Sequence, residues 1–249
     1  MQKIGILGYG EVGSAIAALY RGRDYKLCIK DEGKNIDDDF IGINVLNVCI
    51  PYSDTFESIV RCIIQKYEPG LVIIHSSVLP GTSENIRTSI RSEQPVEMII
   101  VHSPIRGNHP DLYHSLKTFV KYIGALNHAH YITARHHFSK LDINCEYAGS
   151  TRTTELAKLL CTTYYGLCIA WHEEMQRICN EFKVSFEDTV TNWNRTYNDG
   201  YTQVGMTEVI RPVLYPPGGK IGGHCVISNA ELLKQVTDSS FLDLILKLK

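Results

Sequence analysis

The chain has 249 residues, enough for one large domain or two modest ones with a substantial core. Its 44% hydrophobic and 21% charged residues are the proportions of an ordinary globular protein. With 25 basic against 27 acidic residues and no long basic run, nothing in the charge points to nucleic acid or a membrane surface as partner.

Short β-branched runs alternate with helical patterns through the first half. Residues 3–7 read as a strand and 11–20 as a helix with apolar spacing. Further strands follow at 26–30, 44–50, 71–75, 97–102 and 121–123, with helical patterns over 54–65 and 83–91. Buried apolar strands separated by helices predict an α/β, Rossmann-type doubly wound parallel sheet over residues 1–150. Near Gly149-Ser150-Thr151 the pattern changes. Residues 153–182 lack proline, and Leu156, Leu160, Tyr164, Leu167, Trp171, Met175, Ile178 and Phe182 recur at steps of three or four. A helix of that length, at ~1.5 Å per residue, would run roughly 45 Å. Its middle is apolar nearly all round, so both faces need cover, and a homodimer through this helix is the expected arrangement. A shorter helix from Ser185, an aromatic and polar loop over 194–201, a Pro-Gly-rich stretch at 216–223 and closing helices at 230–236 and 241–248 complete the chain. Residues 151–249 thus read as a mainly helical domain, built on one long helix and serving substrate binding and dimerisation.

The eight cysteines form no CxxC pair and several lie in apolar runs, as expected of reduced thiols in a cytoplasmic protein. The uncharged stretch 159–171 is too short to span a bilayer, and the glycine spacing within 4–20 argues against a secretory signal.

Gly8-Tyr9-Gly10-Glu11-Val12-Gly13 stands directly between a strand and a helix. In that context the first glycine permits the tight turn, the second lets backbone approach a pyrophosphate, and the third lets helix pack closely on strand. The helix N-terminus then offers N–H groups to the phosphates. Asp31 ends the second strand at the distance where a carboxylate accepts both ribose hydroxyls, which favours NAD over NADP. Lys30 and Lys34 beside it pull the other way. The cofactor-side residues are therefore Gly8, Tyr9, Gly10, Glu11, Val12, Gly13 and Asp31, with Pro51 and Tyr52 after the third strand and Ser76 and Ser77 after the fourth. Ser77 and Thr82 can bracket a nicotinamide or cap the following helix.

Several segments carry a resemblance. Ile74-His75-Ser76-Ser77-Val78-Leu79-Pro80-Gly81-Thr82 looks like a "STVPPGT" segment, and Val101-His102-Ser103-Pro104 like an "SPE" segment. Thr154-Glu155-Leu156-Ala157-Lys158-Leu159 looks like the start of a long central helix, and Gly222-Gly223-His224-Cys225-Val226 matches a "GGHC[IV]P" block. Together these resemble the UDP-glucose/GDP-mannose dehydrogenase family. The resemblance implies a four-electron oxidation of a sugar alcohol, with Lys158 catalytic and Cys225 capturing the aldehyde as a thiohemiacetal. A lysine in apolar surroundings can serve as base or stabilise an oxyanion, and a glycine-rich loop leaves the cysteine sterically open. Three positions depart from the family pattern. Ile105 replaces its glutamate, Thr162 its asparagine four residues after the lysine, and Asn229 its aspartate four residues after the cysteine. The sequence runs only a short way past that block, so a short member lacking the C-terminal sugar-nucleotide-binding domain is expected.

Asn194, Tyr197, Asn198 and Tyr201 could line a polar substrate pocket, Arg211 could clamp a carboxylate or phosphate, and Gly222, Gly223 and His224 frame the cysteine. Each has a plainer reading. Lys158 could snorkel and pair with Glu155, Cys225 could be a small packing residue, and 194–201 a surface loop turning at 198–200. His172, Glu173 and Glu174 lack metal-site spacing, as does His136-His137, so no metal is expected. The functional expectation is an NAD-dependent dehydrogenase of a sugar nucleotide or sugar-derived substrate. A non-catalytic NAD-binding protein and a two-electron hydroxyacid-type dehydrogenase stand as alternatives.

Overall fold

The structure, a computed structural model, describes residues 1–93, 98–108, 111–223 and 225–249, which form two compact units, Met1–Lys158 and Leu159–Lys249. In the first unit the elements run β1 (Gln2–Leu7), α1 (Glu11–Tyr20), β2 (Tyr25–Asp31), β3 (Ile36–Asp37), β4 (Val45–Val48), α2 (Phe56–Tyr67) and β5 (Leu71–Ile74). They continue as α3 (Thr82–Glu93), β6 (Ile99–His102), α4 (Leu112–Thr118), β7 (Lys121–Ala125), α5 (His128–Ser139) and β8 (Cys145–Tyr147). One eight-stranded sheet takes the order β3-β2-β1-β4-β5-β6-β7-β8.

Alternation along the strands explains the two covered faces. Ile4 and Ile6 of β1 and Leu71 and Ile73 of β5 join one core with Ile16 and Leu19 of α1, Leu116 of α4 and Phe138 of α5. Leu7 of β1 and Val72 and Ile74 of β5 join the opposite core with Phe56, Val60 and Ile64 of α2 and Ile86 and Ile90 of α3. The doubly wound sheet expected from sequence is therefore present, with one correction: it is not parallel throughout. β3 pairs antiparallel with β2 and β7 antiparallel with β6, while β8 is parallel to β7. The start of the expected strand at 97–102 lies outside the described residues, and β6 begins at Ile99.

Helix α6 (Thr151–Phe182) is the expected long helix, and its first two turns belong to the first unit. In the second unit a π-helical turn at Glu187–Thr191 leads into α7 (Asn192–Gln203), followed by α8 (Cys225–Lys234) and α9 (Ser240–Leu246). Leu159 and Ala170 of α6 pack with Val226, Ala230 and Leu233 of α8 and Leu242 and Ile245 of α9. Gly166 permits the approach, since a Cβ there would lie 2.4 Å from Val226 Cγ1.

Two expectations are corrected here. The segment 194–201 is helix, not loop, with Asn198, Asp199 and Gly200 in the closing turns of α7. Cys225 opens α8 rather than sitting in a loop. Along the apolar stripe of α6, Leu160 is 50% exposed, Tyr164 64%, Trp171 49% and Phe182 75%. The core instead takes Leu159, Thr163, Gly166, Ala170 and Cys179. All eight cysteines are free thiols, and among the described residues no helix is long and apolar enough to cross a membrane.

Candidate active site

The glycine turn follows β1 and meets the conditions for a nucleotide phosphate. Gly8 has φ +90°, and a Cβ there would stand 2.9 Å from the backbone of Cys49 and Ile50. A Cβ on Gly13 would lie 1.9 Å from Gly8 O, so only glycine lets α1 start this close to the turn. Gly10 is the opposite case: nothing stands within 4 Å of the Cβ position, and as the N-cap of α1 it makes no side-chain hydrogen bond. Open space beside an uncapped helix N-terminus is what a pyrophosphate requires. Glu11 is exposed in the first turn of α1, and Val12 packs on the core.

Asp31 lies against this turn. Its Oδ2 accepts from Tyr9 N at 2.6 Å and its Oδ1 from Lys34 N at 3.0 Å. The two lysines that could favour a 2′-phosphate are engaged locally: Lys30 pairs with Asp37, and Lys34 Nζ donates to Tyr9 O at 2.6 Å. Ser76 Oγ donates to Ile50 O at 2.6 Å, tying together the carboxyl ends of β4 and β5. Pro51 is exposed, while Tyr52 and Ser77 are half-buried. Tyr52 stacks near Phe56, with ring centroids 5.4 Å apart. The residues expected on the cofactor side thus gather at the carboxyl ends of the parallel strands, where α/β sheets bind ligands.

The start of α6 is fastened to those same strand ends. Glu155, fully buried, accepts from Gly81 N at 2.6 Å, Ser83 N at 3.0 Å and Ser83 Oγ at 2.6 Å. Burial raises its pKa, and these donors act against the rise. Glu155 therefore serves the N-terminus of α3 and not Lys158, and Thr82 turns its hydroxyl to Leu79 O instead of capping. Thr154 Oγ1 stands 2.8 Å from His102 Nδ1, whose other ring nitrogen donates to Ser76 O at 3.0 Å. Lys158 Nζ donates to Ile105 O at 2.9 Å. The isoleucine side chain is buried in the core, so its place in the site is taken by its carbonyl.

His75, His102 and Lys121 were not singled out from sequence. His75 bridges the Asn47 side chain and Ser103 O, at 3.0 Å each. Burial holds His75 well below the ordinary histidine range and His102 down to about 3. The available signal was one polar residue closing each apolar strand, as in Ile73-Ile74-His75 and Ile100-Val101-His102.

In the second unit, Cys225 is half-buried at the start of α8. One turn on, Asn229 is 3% exposed, and its Nδ2 has no hydrogen-bond partner among the described residues. Thr162 is half-buried on α6, and Gly222 and Gly223 are exposed. His224 lies outside the described residues. Asn194, Tyr197, Asn198 and Tyr201 share one face of α7 by their spacing. Arg211 joins two of them. Its guanidinium stacks 3.7 Å over the Tyr197 ring, and its backbone exchanges two 2.8 Å hydrogen bonds with the Asn198 side chain. The Tyr197 and Tyr201 rings lie 5.1 Å apart.

No family model matches the sequence. Among curated proteins the chain is 22% identical over 210 residues to the UDP-N-acetyl-D-mannosamine dehydrogenase of Methanococcus vannielii, covering 84% of this chain and 42% of that protein. The chain therefore spans less than half of that relative's length. Among solved structures it is similar to UDP-D-ManNAc dehydrogenase from Pyrococcus horikoshii, with TM-score 0.79 and 17% identity over 99% of this chain and 68% of that one. A UDP-glucose dehydrogenase from Pyrobaculum islandicum superposes with TM-score 0.72 and 14% identity, over 100% and 68%. The chain is thus similar, in sequence and in fold, to the UDP-glucose/GDP-mannose dehydrogenases that its motifs resemble.

Proposed function

We propose that the protein is an NAD-dependent oxidoreductase that oxidises a hydroxyl of a sugar nucleotide or related sugar-derived substrate. The observation that carries this reading is the open approach at Gly10 beside Asp31 and the uncapped start of α1, with Lys158 anchored near the same strand ends. NAD, when bound, supplies the hydride acceptor. The turn at Gly8, Tyr9, Gly10 and Gly13 would hold its pyrophosphate, Asp31 its ribose hydroxyls, and Pro51, Tyr52, Ser76 and Ser77 the nicotinamide side.

Lys158 takes the role of base, or of cation beside the developing alkoxide. Loss of the hydroxyl proton to Lys158 and of a hydride to bound NAD would leave an aldehyde; the Cys225 sulfur would then add to its carbon while a proton goes to the carbonyl oxygen, giving a thiohemiacetal, with Thr162 and Asn229 assisting as neutral polar groups. In the second unit the α7 face with Arg211 is suited to a planar base and an anionic group, through stacking and a guanidinium fork. Gly222, Gly223 and His224 frame the cysteine. A homodimer covers the exposed Leu160, Tyr164 and Trp171 of α6, and the free thiols fit a cytoplasmic protein.

Assay of NADH formation with a panel of UDP- and GDP-sugars tests the reading. Lys158→Ala should abolish turnover and leave NAD affinity unchanged. Turnover equal to that of the unaltered protein would remove the role given to Lys158.

A further inference from the structure

We propose that Lys121 is a positioning residue for Lys158, holding the turn after β6 whose carbonyl anchors the Lys158 amine. The inference rests on the reading of Lys158 given above.

The chain reversal at β7 brings Lys121 to this place. β7 pairs antiparallel with β6, with His102 opposite Gly124, and continuing that register sets Lys121 beside Ile105. Its side chain is buried, 3% exposed, and Nζ donates to Ser103 O at 2.8 Å and to Pro104 O at 3.4 Å. The next carbonyl along the chain, that of Ile105, accepts from Lys158 Nζ at 2.9 Å. Three successive carbonyls are thus taken by two lysines, one from the sheet and one from α6. Ser103 is fastened further, by His75 Nδ1 at its carbonyl and by its own Oγ donating to Tyr122 O at 2.8 Å.

A buried amine is a costly way to hold a turn. Removing an ammonium from water costs several kcal/mol, and no carboxylate accepts from Lys121 among the described residues. Its surroundings are Cys49 past β4, His75 past β5, His102 of β6, Cys145 of β8, Lys158 of α6 and the Phe138 ring of α5, 5.4 Å away. Burial accordingly holds Lys121 down to about 7, with the Lys158 charge acting in the same direction. A purely structural post would be served as well by an uncharged donor. An amine that titrates near neutrality, on the same turn as the amine read as catalytic, ties the geometry and charge of one to the other.

Two variants test this, Lys121→Met, which keeps the length and removes both donors, and Lys121→Gln, which keeps a neutral donor. NAD affinity should stay within about twofold while kcat falls by about tenfold or more, as displacing a reacting group by ~1 Å can cost ~100-fold. The kcat–pH profile of both variants should lose the inflection near pH 7 that Lys121 gives the unaltered protein. A readout independent of turnover is the 13C ε-methylene resonance of Lys158, assigned through Lys158→Met. In the unaltered protein it should show an inflection near pH 7 from Lys121, which both variants abolish. No such inflection, or variants with unchanged kcat, pH profile and Lys158 resonance, would overturn the role of Lys121. Turnover persisting in Lys158→Met would instead overturn the reading of Lys158 itself. The titration of the unaltered protein decides the matter even where a variant fails to fold.

Discussion

Gly10 and Gly13 sit three residues apart in one motif, yet the structure asks opposite things of them. A side chain at Gly10 meets open space, whereas one at Gly13 collides with Gly8 O. Gly10→Val should therefore leave thermal stability nearly unchanged and weaken NAD binding at least tenfold by blocking the phosphate approach. Gly13→Val should unfold the protein or lower its stability by about 3 kcal/mol or more, the cost of overpacking. Thermal melts and calorimetric NAD titrations separate the two, and equal loss of stability in both would contradict the assignment. The buried histidines give a second expectation at this scale. His102 is held down to about 3 and His137 to about 4 by burial, against ~6.5 in an unfolded chain. The folded state binds fewer protons across that window, so their contribution is fully present above ~6.5 and is lost as pH falls toward 4. Glu155, with its raised value, works in the opposite sense but is one group against three, since burial lowers His75 as well. Urea midpoints should fall between pH 7 and 4.5, and His102→Gln should flatten that slope; an unchanged slope would refute the coupling.

At the scale of elements, α6 is attached to the sheet by its first two turns. Gly124 of β7 admits it, since a Cβ there would lie 2.3 Å from Thr154 Oγ1, and Glu155 reaches across to the N-terminus of α3. Glu155→Gln keeps the shape but replaces one acceptor with a donor facing backbone N–H groups. It should cost about 1–3 kcal/mol by denaturant unfolding; a neutral or stabilising effect would contradict this link. The same elements show what could be read from sequence. The extents of β1 and α1 and the length of α6 were legible because alternation and glycine spacing are local properties. Helix α5 was not, because its buried stripe includes His130 and His137, residues that read as polar. The two-residue β3 and three-residue β8 are too short to show a period. Helix α7 was hidden by Asn198-Asp199-Gly200, a turn sequence that here falls in the closing turns of a helix. The inward face of α6 was not legible, because hydrophobicity marks surface to be covered without saying what covers it, and small residues such as Gly166 and Ala170 face the core. In the candidate site, the glycine turn was legible as a motif. The contacts of Lys158 and Glu155 depend on loops distant in sequence and were not.

For the molecule as a whole, the exposed side of α6 presents Leu160, Tyr164 and Trp171 to solvent. The dimer proposed above removes this surface from water. Leu160→Asp together with Trp171→Glu should halve the mass measured by light scattering at micromolar concentration while leaving NAD affinity intact. A monomeric unaltered protein would contradict the dimer. The central claim is that NAD binding at the glycine turn serves oxidation of a sugar nucleotide through Lys158. Its most direct test is NADH production monitored in parallel with NAD binding, for the unaltered protein and Lys158→Ala. The account predicts substrate-dependent NADH formation by the unaltered protein only, with equal NAD affinity in both. Undetectable NAD binding, no NADH with any sugar nucleotide, or full turnover in Lys158→Ala would contradict it.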